Sequence, residues 1–227
     1  MSQKKFAFTG LMFAGKDYVA DQAGLKKLSM SRPMTALAEH LTGYSREDSH
    51  IPGLRRMWQQ LGQWGWGAVS EQYPVTAERS LLTKYVQEHG RSVVPGFEHV
   101  DWSQYGKVKS FWIDILLKDI QATPVPASGY AIVNIRFDHE LHPARCHGFQ
   151  LFHVACSEET RQERMAAKGY VQTKTEAADA SEMLAHTMAA ELPDHQIIWN
   201  DHRPMPEGKQ YHEVGAWLAH VATQWAT

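Results

Sequence analysis

The sequence has little cysteine, no long apolar run and no surplus of either charge. Its only cysteines are Cys146 and Cys156; two thiols outside a CxxC pair make no disulfide framework, so we expect both to be reduced. No apolar run approaches the roughly 18 residues of a transmembrane helix, and no signal-peptide cleavage pattern follows the start, which predicts a cytoplasmic protein. The 23 Lys+Arg against 25 Asp+Glu exclude a global basic surplus of the kind that binds duplex nucleic acid or anionic membrane.

What is present is an ordinary globular composition, with 43% hydrophobic and 21% charged residues. This composition predicts a real core and favours a single domain over residues 1–227. Apolar runs of strand type occupy Lys4–Thr9, Tyr130–Ile135, Phe149–Cys156 and Gln196–Trp199. Helical spacing occurs in Asp17–Ala23, Ser31–Leu41, Gly53–Leu61, Thr76–Glu88, Phe111–Ile120, Glu158–Ala167 and Glu176–Glu191. Strands that alternate with helices predict an α/β fold with a parallel sheet, and residues 90–110 read as a loop or hairpin insertion.

A glycine loop follows the first predicted strand. Gly10-Leu-Met-Phe-Ala-Gly15-Lys16 matches GxxxxGK, the phosphate-binding loop, in its expected place between a strand and a helix. The glycines let the backbone curl so that successive N–H groups face a phosphate, and Lys16 adds a mobile cation. The sequence therefore predicts a nucleotide-phosphate site here.

Asp17 stands where a phosphate loop normally has Ser or Thr to supply a hydroxyl to magnesium. A carboxylate is also a hard oxygen ligand, so Asp17 is our candidate metal ligand, directly or through water. The alternative is that Asp17 only occupies the first turn of a helix, where the helix dipole favours an acidic residue.

Several further motifs follow in a fixed order along residues 4–203. They are Gly10–Asp17, the segment Lys27–Met34 that leads into a helix through Pro33, Arg55–Gly65 with the pattern RxxxQxxG, Val133–Glu140, Arg161–Gly169 and Asp194–Asp201. In this order they resemble the deoxynucleoside monophosphate kinases of bacteriophages, and they are also similar to the animal phosphomevalonate kinases of the same P-loop kinase group.

This resemblance implies a three-layer P-loop kinase fold with a central parallel sheet, a helical acceptor-binding insertion over residues 30–125 and a lid over 158–190. It implies ATP-dependent phosphoryl transfer to a deoxynucleoside monophosphate, giving the diphosphate, with Mg²⁺ as cofactor. The partners would be ATP and the monophosphate, with no nucleic acid polymer and no membrane. The location would be the cytoplasm, that of the host for a phage protein, and a homodimer is left open.

Site residues follow from the resemblance together with the chemistry of phosphates, which needs cations rather than a general base. The catalytic candidates are Lys16, Arg136, Arg161 and Arg164, with Lys168 in the lid. The ATP-binding candidates are Gly10, Phe13, Ala14, Gly15, Lys16, Asp17, Tyr18 and Asn200. The acceptor-binding candidates are Arg32, Arg55, Arg56, Trp64, Trp66 and Glu140.

Alternatives remain open for several of these residues. Arg161 and Arg164 fall on one helical face, where pairing with neighbouring glutamates is the other explanation. Arg136 ends an apolar strand, the position that lines the ligand crevice of open α/β sheets. The histidines of residues 138–147 do not form HExxH, and Pro143 predicts an exposed loop there rather than a zinc helix, with Glu140 orienting Arg136.

Two other functions keep the phosphate loop but change its use. One is a kinase of another phosphorylated small molecule, phosphomevalonate or dephospho-coenzyme A. The other is a P-loop module that binds or hydrolyses ATP as a switch on a protein partner. The run of basic residues in the lid region favours transfer, because a switch has no need for cations on a closing arm.

Overall fold

A computed structural model of the chain describes residues 4–29, 32–45, 84, 88, 111–122, 126, 128–170 and 180–225. The chain divides into two compact units. The first, called here the sheet unit, comprises Met1–Leu28 and Val125–Thr227. The second, the helical unit, comprises Ser29–Pro124.

The sheet unit is built on one six-stranded sheet in which every strand pairing is parallel. Its strands are β1 (Lys5–Thr9), β2 (Lys26–Leu28), β3 (Tyr130–Ile132), β4 (Gln150–Ala155), β5 (Ile197–Trp199) and β6 (His212–Glu213). The strand order is β2-β3-β1-β4-β5-β6. This is the α/β class with a central parallel sheet predicted from the sequence, and its architecture is consistent with the three-layer P-loop kinase fold. Strand β1 lies between β3 and β4, so the residues that follow β1 lie near the middle of the sheet's carboxyl edge.

Helices are described in both units. In chain order they are α1 (Lys16–Gln22), α2 (Arg32–Thr42), α3 (Phe111–Ala122), α4 (Asp138–Cys146), α5 (Glu158–Ala167), α6 (Ala180–Glu191) and α7 (Val214–Trp225), with a 3-10 turn at Asp194–Gln196. The predicted strands at β1, β4 and β5 and the predicted helices at α1, α2, α3 and α5 are confirmed within two residues. The short strands β2 and β6 were not predicted, because two or three residues carry no readable period. Helix α7, which is twelve residues long, was not predicted either.

The predicted strand Tyr130–Ile135 is shorter than expected, since the regular ladder ends at Ile132. The chain nevertheless stays beside its neighbours: Val133 N donates to Leu28 O at 3.4 Å and Ile135 N donates to Phe8 O at 3.3 Å. Residues 133–135 therefore continue along the sheet to its carboxyl edge with fewer hydrogen bonds than a regular strand.

The prediction that Pro143 interrupts any helix and leaves an exposed loop after β3 is wrong. Residues 138–146 form helix α4 with Pro143 inside it. Proline removes one backbone donor, the one that would have bonded to the carbonyl of His139. A capping box compensates at the helix start, where the Glu140 carboxylate accepts from the backbone N–H groups of Arg136 at 2.7 Å and Phe137 at 3.0 Å.

One buried cluster of the sheet unit lies on one face of the central strands. Trp217 of α7 is fully buried, and its ring packs edge-on against Phe6, Phe8 and Phe152 with centroids 5.5–5.7 Å apart. Val19 of α1 joins the same cluster. Helix α6 packs against β4 and β1 and is absent from that cluster as far as the described side chains go. Helices thus cover both faces of the sheet. None of the described helices is long and apolar enough to cross a membrane.

In the helical unit, α2 and α3 pack against each other. Leu37 and Ala38 form the buried stripe of α2, and Arg32 donates to the Asp119 carboxylate of α3 at 3.4 Å. Lys84 and Glu88 are helical, as predicted for Thr76–Glu88. The rest of that helix, the predicted helix Gly53–Leu61 and the insertion 90–110 lie outside the described residues.

Candidate phosphate-loop site

The glycine loop runs from the end of β1 at Thr9 to the start of α1 at Lys16. Gly10 and Gly15 have φ angles of 136° and 96°, and Phe13 is left-handed at 66°, conformations that glycine adopts freely and other residues rarely. A Cβ on Gly10 would lie 2.3 Å from the carbonyl oxygen of Val154, and one on Gly15 would lie 2.0 Å from the Asn200 amide nitrogen. Both glycines are therefore required by the fold of the loop as well as by the motif.

Two side chains from other elements hold the loop. Arg164 of α5 donates through Nη1 to the carbonyls of Phe13 at 3.2 Å and Ala14 at 2.9 Å, and Asn200 donates through Nδ2 to Ala14 O at 2.8 Å. In a trans peptide the carbonyl and the following N–H point in opposite directions. Because Ala14 O faces Arg164 and Asn200, the N–H of Gly15 faces the other side of the loop, where it can donate to an anion.

Lys16 and Asp17 begin α1. The Lys16 ammonium donates to the carbonyls of Gly10 at 2.6 Å and Leu11 at 2.9 Å, so it lies over the loop that precedes it. The Asp17 side chain is 71% exposed, with Lys27 Nζ 3.7 Å from its Oδ1. Among the described residues, no group of three or more His, Cys, Asp or Glu side chains is arranged to hold a metal ion. Asp17 is thus an exposed carboxylate beside the loop, and carboxylate oxygens are ligands that hard cations such as Mg²⁺ prefer.

An open groove of about 500 Å³ lies beside the loop, within the size range of small-molecule sites. It is lined by Tyr18 of α1, by residues 199–204 from the last residue of β5 onward, and by residues 213–215 where β6 ends and α7 begins. The sequence-predicted residues Tyr18 and Asn200 are both in this lining. Since Asn200 also bonds to Ala14 O, groove and loop share a wall.

The Asp201 carboxylate, in the wall of this groove, accepts several hydrogen bonds. Its side chain has no exposed surface, and it accepts from Ser157 N at 2.6 Å, Ser157 Oγ at 2.5 Å, Thr160 Oγ1 at 2.6 Å and Arg203 N at 2.9 Å. Burial opposes ionisation, but these four donors outweigh it and hold the pKa of Asp201 well below its usual range. Arg203 continues the cluster, donating to Thr160 Oγ1 and to Glu163 Oε1 at 2.6 Å.

Arg136 and Glu140 both follow β3 in the chain, but Arg136 is exposed and Glu140 is buried. Arg136 is exposed and follows Ile135, which bonds to β1, so it lies at the same sheet edge as the loop. Glu140 is buried, and burial raises its pKa to about 7 in spite of the two backbone donors it accepts from and the nearby Arg136 charge. The hydrogen bonds that are seen run from the backbone N–H groups to Glu140; they cap α4 rather than orient the Arg136 guanidinium.

His153 of β4 was missed by the sequence analysis. It is 3% exposed and is paired in register with Thr9, the last residue before the loop. Burial lowers its pKa to about 4, helped by the positive charges of Lys16 and His186. A neutral imidazole therefore lies beneath the loop at physiological pH. A histidine inside an apolar strand was the available signal.

The structure brings together some of the predicted cations and not others. Lys16 and Arg164 meet at the loop. Arg161 donates to both carboxylate oxygens of Glu158, each at 2.7 Å, within its own helix, which is the alternative the sequence left open. Lys168 is exposed at the end of α5, and Arg32 belongs to the helical unit. The remaining acceptor candidates, Arg55, Arg56, Trp64 and Trp66, lie outside the described residues.

The group of hydrogen-bonded side chains around Asp201 contains residues that were not selected as site residues from the sequence. Arg203 lies in none of the motifs, and Glu163 and Asp201 were noted only as parts of longer segments. Ser157 caps α5, with its hydroxyl accepting from Thr160 N at 3.2 Å; the pattern Ser-x-x-Thr before a helical run was the signal for that cap.

No protein-family model matches this chain, and no curated protein sequence is similar enough to count as a match. The likeness to P-loop kinases therefore rests on the motifs of the sequence and on the sheet and loop described above.

Proposed function

We propose that the protein is an ATP-dependent kinase that transfers the γ-phosphoryl group to a deoxynucleoside monophosphate and forms the diphosphate. One observation carries the proposal: a GxxxxGK loop follows the central strand of an all-parallel sheet, opens a helix with Lys16, and is held from behind by Arg164 and Asn200.

The donor half of the reaction uses the loop and the groove. The Gly15 N–H and the Lys16 ammonium bind the β- and γ-phosphates, and the groove beside Tyr18 takes the nucleoside part. Lys16 must exchange its bonds to Gly10 O and Leu11 O for phosphate oxygens, a change of partner that a flexible lysine stem permits. Mg²⁺ enters as part of the substrate Mg-ATP. Asp17, the residue after Lys16, would supply a carboxylate oxygen to it.

The acceptor half needs no general base. A nucleoside monophosphate has a second phosphate pKa near 6, so at neutral pH its oxygen is already the nucleophile. That oxygen attacks the γ-phosphorus while the bond to the ADP oxygen breaks, and cations around the transferring group stabilise the charge. Arg136, exposed at the sheet edge beside the loop, is the described residue best suited to this role. The choice of a deoxynucleotide as acceptor rests on the sequence resemblance.

The test is a coupled assay of ADP formation from Mg-ATP with a panel of deoxynucleoside and ribonucleoside monophosphates. We expect at least one deoxynucleoside monophosphate to raise ADP formation well above the background hydrolysis of ATP. Stimulation only by phosphomevalonate or dephospho-coenzyme A would move the assignment to those acceptors. ATP hydrolysis that no phosphorylated acceptor stimulates would contradict the kinase proposal and support a switch module.

A further inference from the structure

Five polar side chains connect the wall of the groove to helix α5. They are Ser157, Thr160, Glu163, Asp201 and Arg203, called here the Asp201 cluster. Asp201 and Arg203 line the groove, while the other three belong to α5 or cap it. The cluster therefore ties residues 201–203 of the groove wall to helix α5.

The bonds within the Asp201 cluster are short and charge-assisted. Asp201 accepts from Thr160 Oγ1 at 2.6 Å and from two groups of Ser157 at 2.5 and 2.6 Å. Arg203 donates to Glu163 at 2.6 and 3.4 Å. Bonds in which one partner is ionised are stronger than neutral ones, so the bonds to the Asp201 carboxylate hold the segment 201–203 to the helix. The Arg203–Glu163 pair is exposed to solvent and adds a smaller contribution.

The same helix holds the phosphate loop. Arg164, the next residue after Glu163, donates through Nη1 to Phe13 O and Ala14 O and through Nη2 to Asn200 O at 2.8 Å. One helix thus fixes the loop through Arg164 and the groove wall through Thr160 and Glu163. A ligand with phosphates in the loop and a base in the groove needs a constant distance between these two parts.

We propose that Arg203, through its ion pair with Glu163, is a positioning residue that sets the groove wall at the distance from the phosphate loop required by a nucleoside triphosphate. Arg203 therefore affects the binding of the nucleoside part of the ligand. Phosphate binding depends instead on Arg164, Asn200 and Lys16, none of which bonds to Arg203 in the contacts described. The inference rests on the proposed function only in taking a nucleoside triphosphate as the ligand.

The test is calorimetric binding of Mg-ATP and of inorganic tripolyphosphate to the full-length protein. Tripolyphosphate fills the loop but not the groove. We expect Arg203→Ala to weaken Mg-ATP binding about fivefold and tripolyphosphate binding less than about twofold, because only the groove wall is released. Arg145→Ala is the matched control, since Arg145 is exposed on α4, and it should change neither affinity.

Glu163→Ala separates positioning from direct contact, because Glu163 is not in the groove lining. If Arg203 acts by position, Glu163→Ala weakens Mg-ATP binding about threefold or more, and the double variant is no worse than Arg203→Ala alone. The charge-reversed pair R203E/E163R should recover part of the lost affinity. An unchanged affinity in Glu163→Ala beside a weakened Arg203→Ala would show direct contact and overturn the proposal.

Two further outcomes are distinct. Equal weakening of Mg-ATP and tripolyphosphate by Arg203→Ala would show that Arg203 acts on the loop, which also overturns the inference. If the unaltered protein binds Mg-ATP with the expected variant pattern but phosphorylates no monophosphate, the kinase proposal fails and the positioning role stands. If it binds neither ligand, both fail.

Discussion

Two buried carboxyl groups in the sheet unit have pKa values displaced in opposite directions. Asp201, behind the groove, is held ionised with its pKa well below the usual range. Glu140, at the start of α4, has its pKa raised to about 7. Burial opposes the charged form at both positions, so the difference comes from the hydrogen bonds that each group accepts.

The number and placement of donors explain the contrast. Asp201 receives four hydrogen bonds, two on each oxygen. Glu140 receives two, both on Oε2, so a proton on its other oxygen breaks neither bond. Asp201 is therefore an obligatory anion that ties the groove wall to α5, whereas Glu140 is a cap that functions whether charged or neutral.

The largest effect should come from removing the charge of Asp201. Asp201→Asn places an amide N–H₂ against donors that need an acceptor, and we expect a loss of about 3 kcal/mol in the free energy of unfolding at pH 7. Chemical denaturation measures this loss. The control Asp138→Asn, on an exposed side chain, should change stability by less than about 1 kcal/mol. Equal effects at the two positions would contradict the assigned role of Asp201.

The stability of the protein at low pH should also depend on Asp201. The folded-state pKa of Asp201 lies below the unfolded value of about 4, so its stabilisation is present above pH 4 and is lost as the pH falls further. The part of the acid dependence below pH 4 should therefore be smaller in Asp201→Asn than in the unaltered protein.

Glu140→Gln should raise the free energy of unfolding, whereas Asp201→Asn should lower it. The folded-state pKa is raised, so the ionised form destabilises the fold, and that penalty grows between about pH 4.5 and 7. The glutamine oxygen can still cap Arg136 and Phe137 without a buried charge. We expect about 2 kcal/mol of added stability at pH 8 and little change at pH 5.

Thermal unfolding across that pH range checks the Glu140 prediction, with Glu207→Gln, an exposed glutamate, as the control. Destabilisation by Glu140→Gln at pH 8 would show that the cap requires the charge.

The smallest effect should come from removing one donor to Asp201. Ser157→Ala deletes a hydroxyl that both donates to Asp201 and caps α5, and we expect a loss of about 1 kcal/mol. The pKa of Asp201 should rise, which NMR titration of the carboxyl carbon would measure. Ser128→Ala, at an exposed turn, serves as the control. An unchanged Asp201 pKa would mean that the donor count does not explain the contrast.

The sequence predicted the phosphate loop and the parallel sheet because each depends on local patterns. Gly10, Gly15 and Lys16 lie within one short stretch of the chain, and runs such as Phe149–Cys156 are continuous. The Asp201 cluster could not be predicted, since Ser157 and Asp201 are 44 residues apart and meet only because β4 and β5 are neighbours. Helix α4 was missed because a proline was given more weight than the cap that Glu140 supplies.

The most direct measurement is the turnover of the Lys16→Ala variant in the coupled assay, with the monophosphate that works best for the unaltered protein. We expect a loss of turnover of at least about 100-fold, because the cation at the transferring phosphates is gone, in a variant that circular dichroism shows to be folded. Turnover retained within a few-fold by a folded Lys16→Ala variant would contradict the claim that this loop binds the phosphates of ATP.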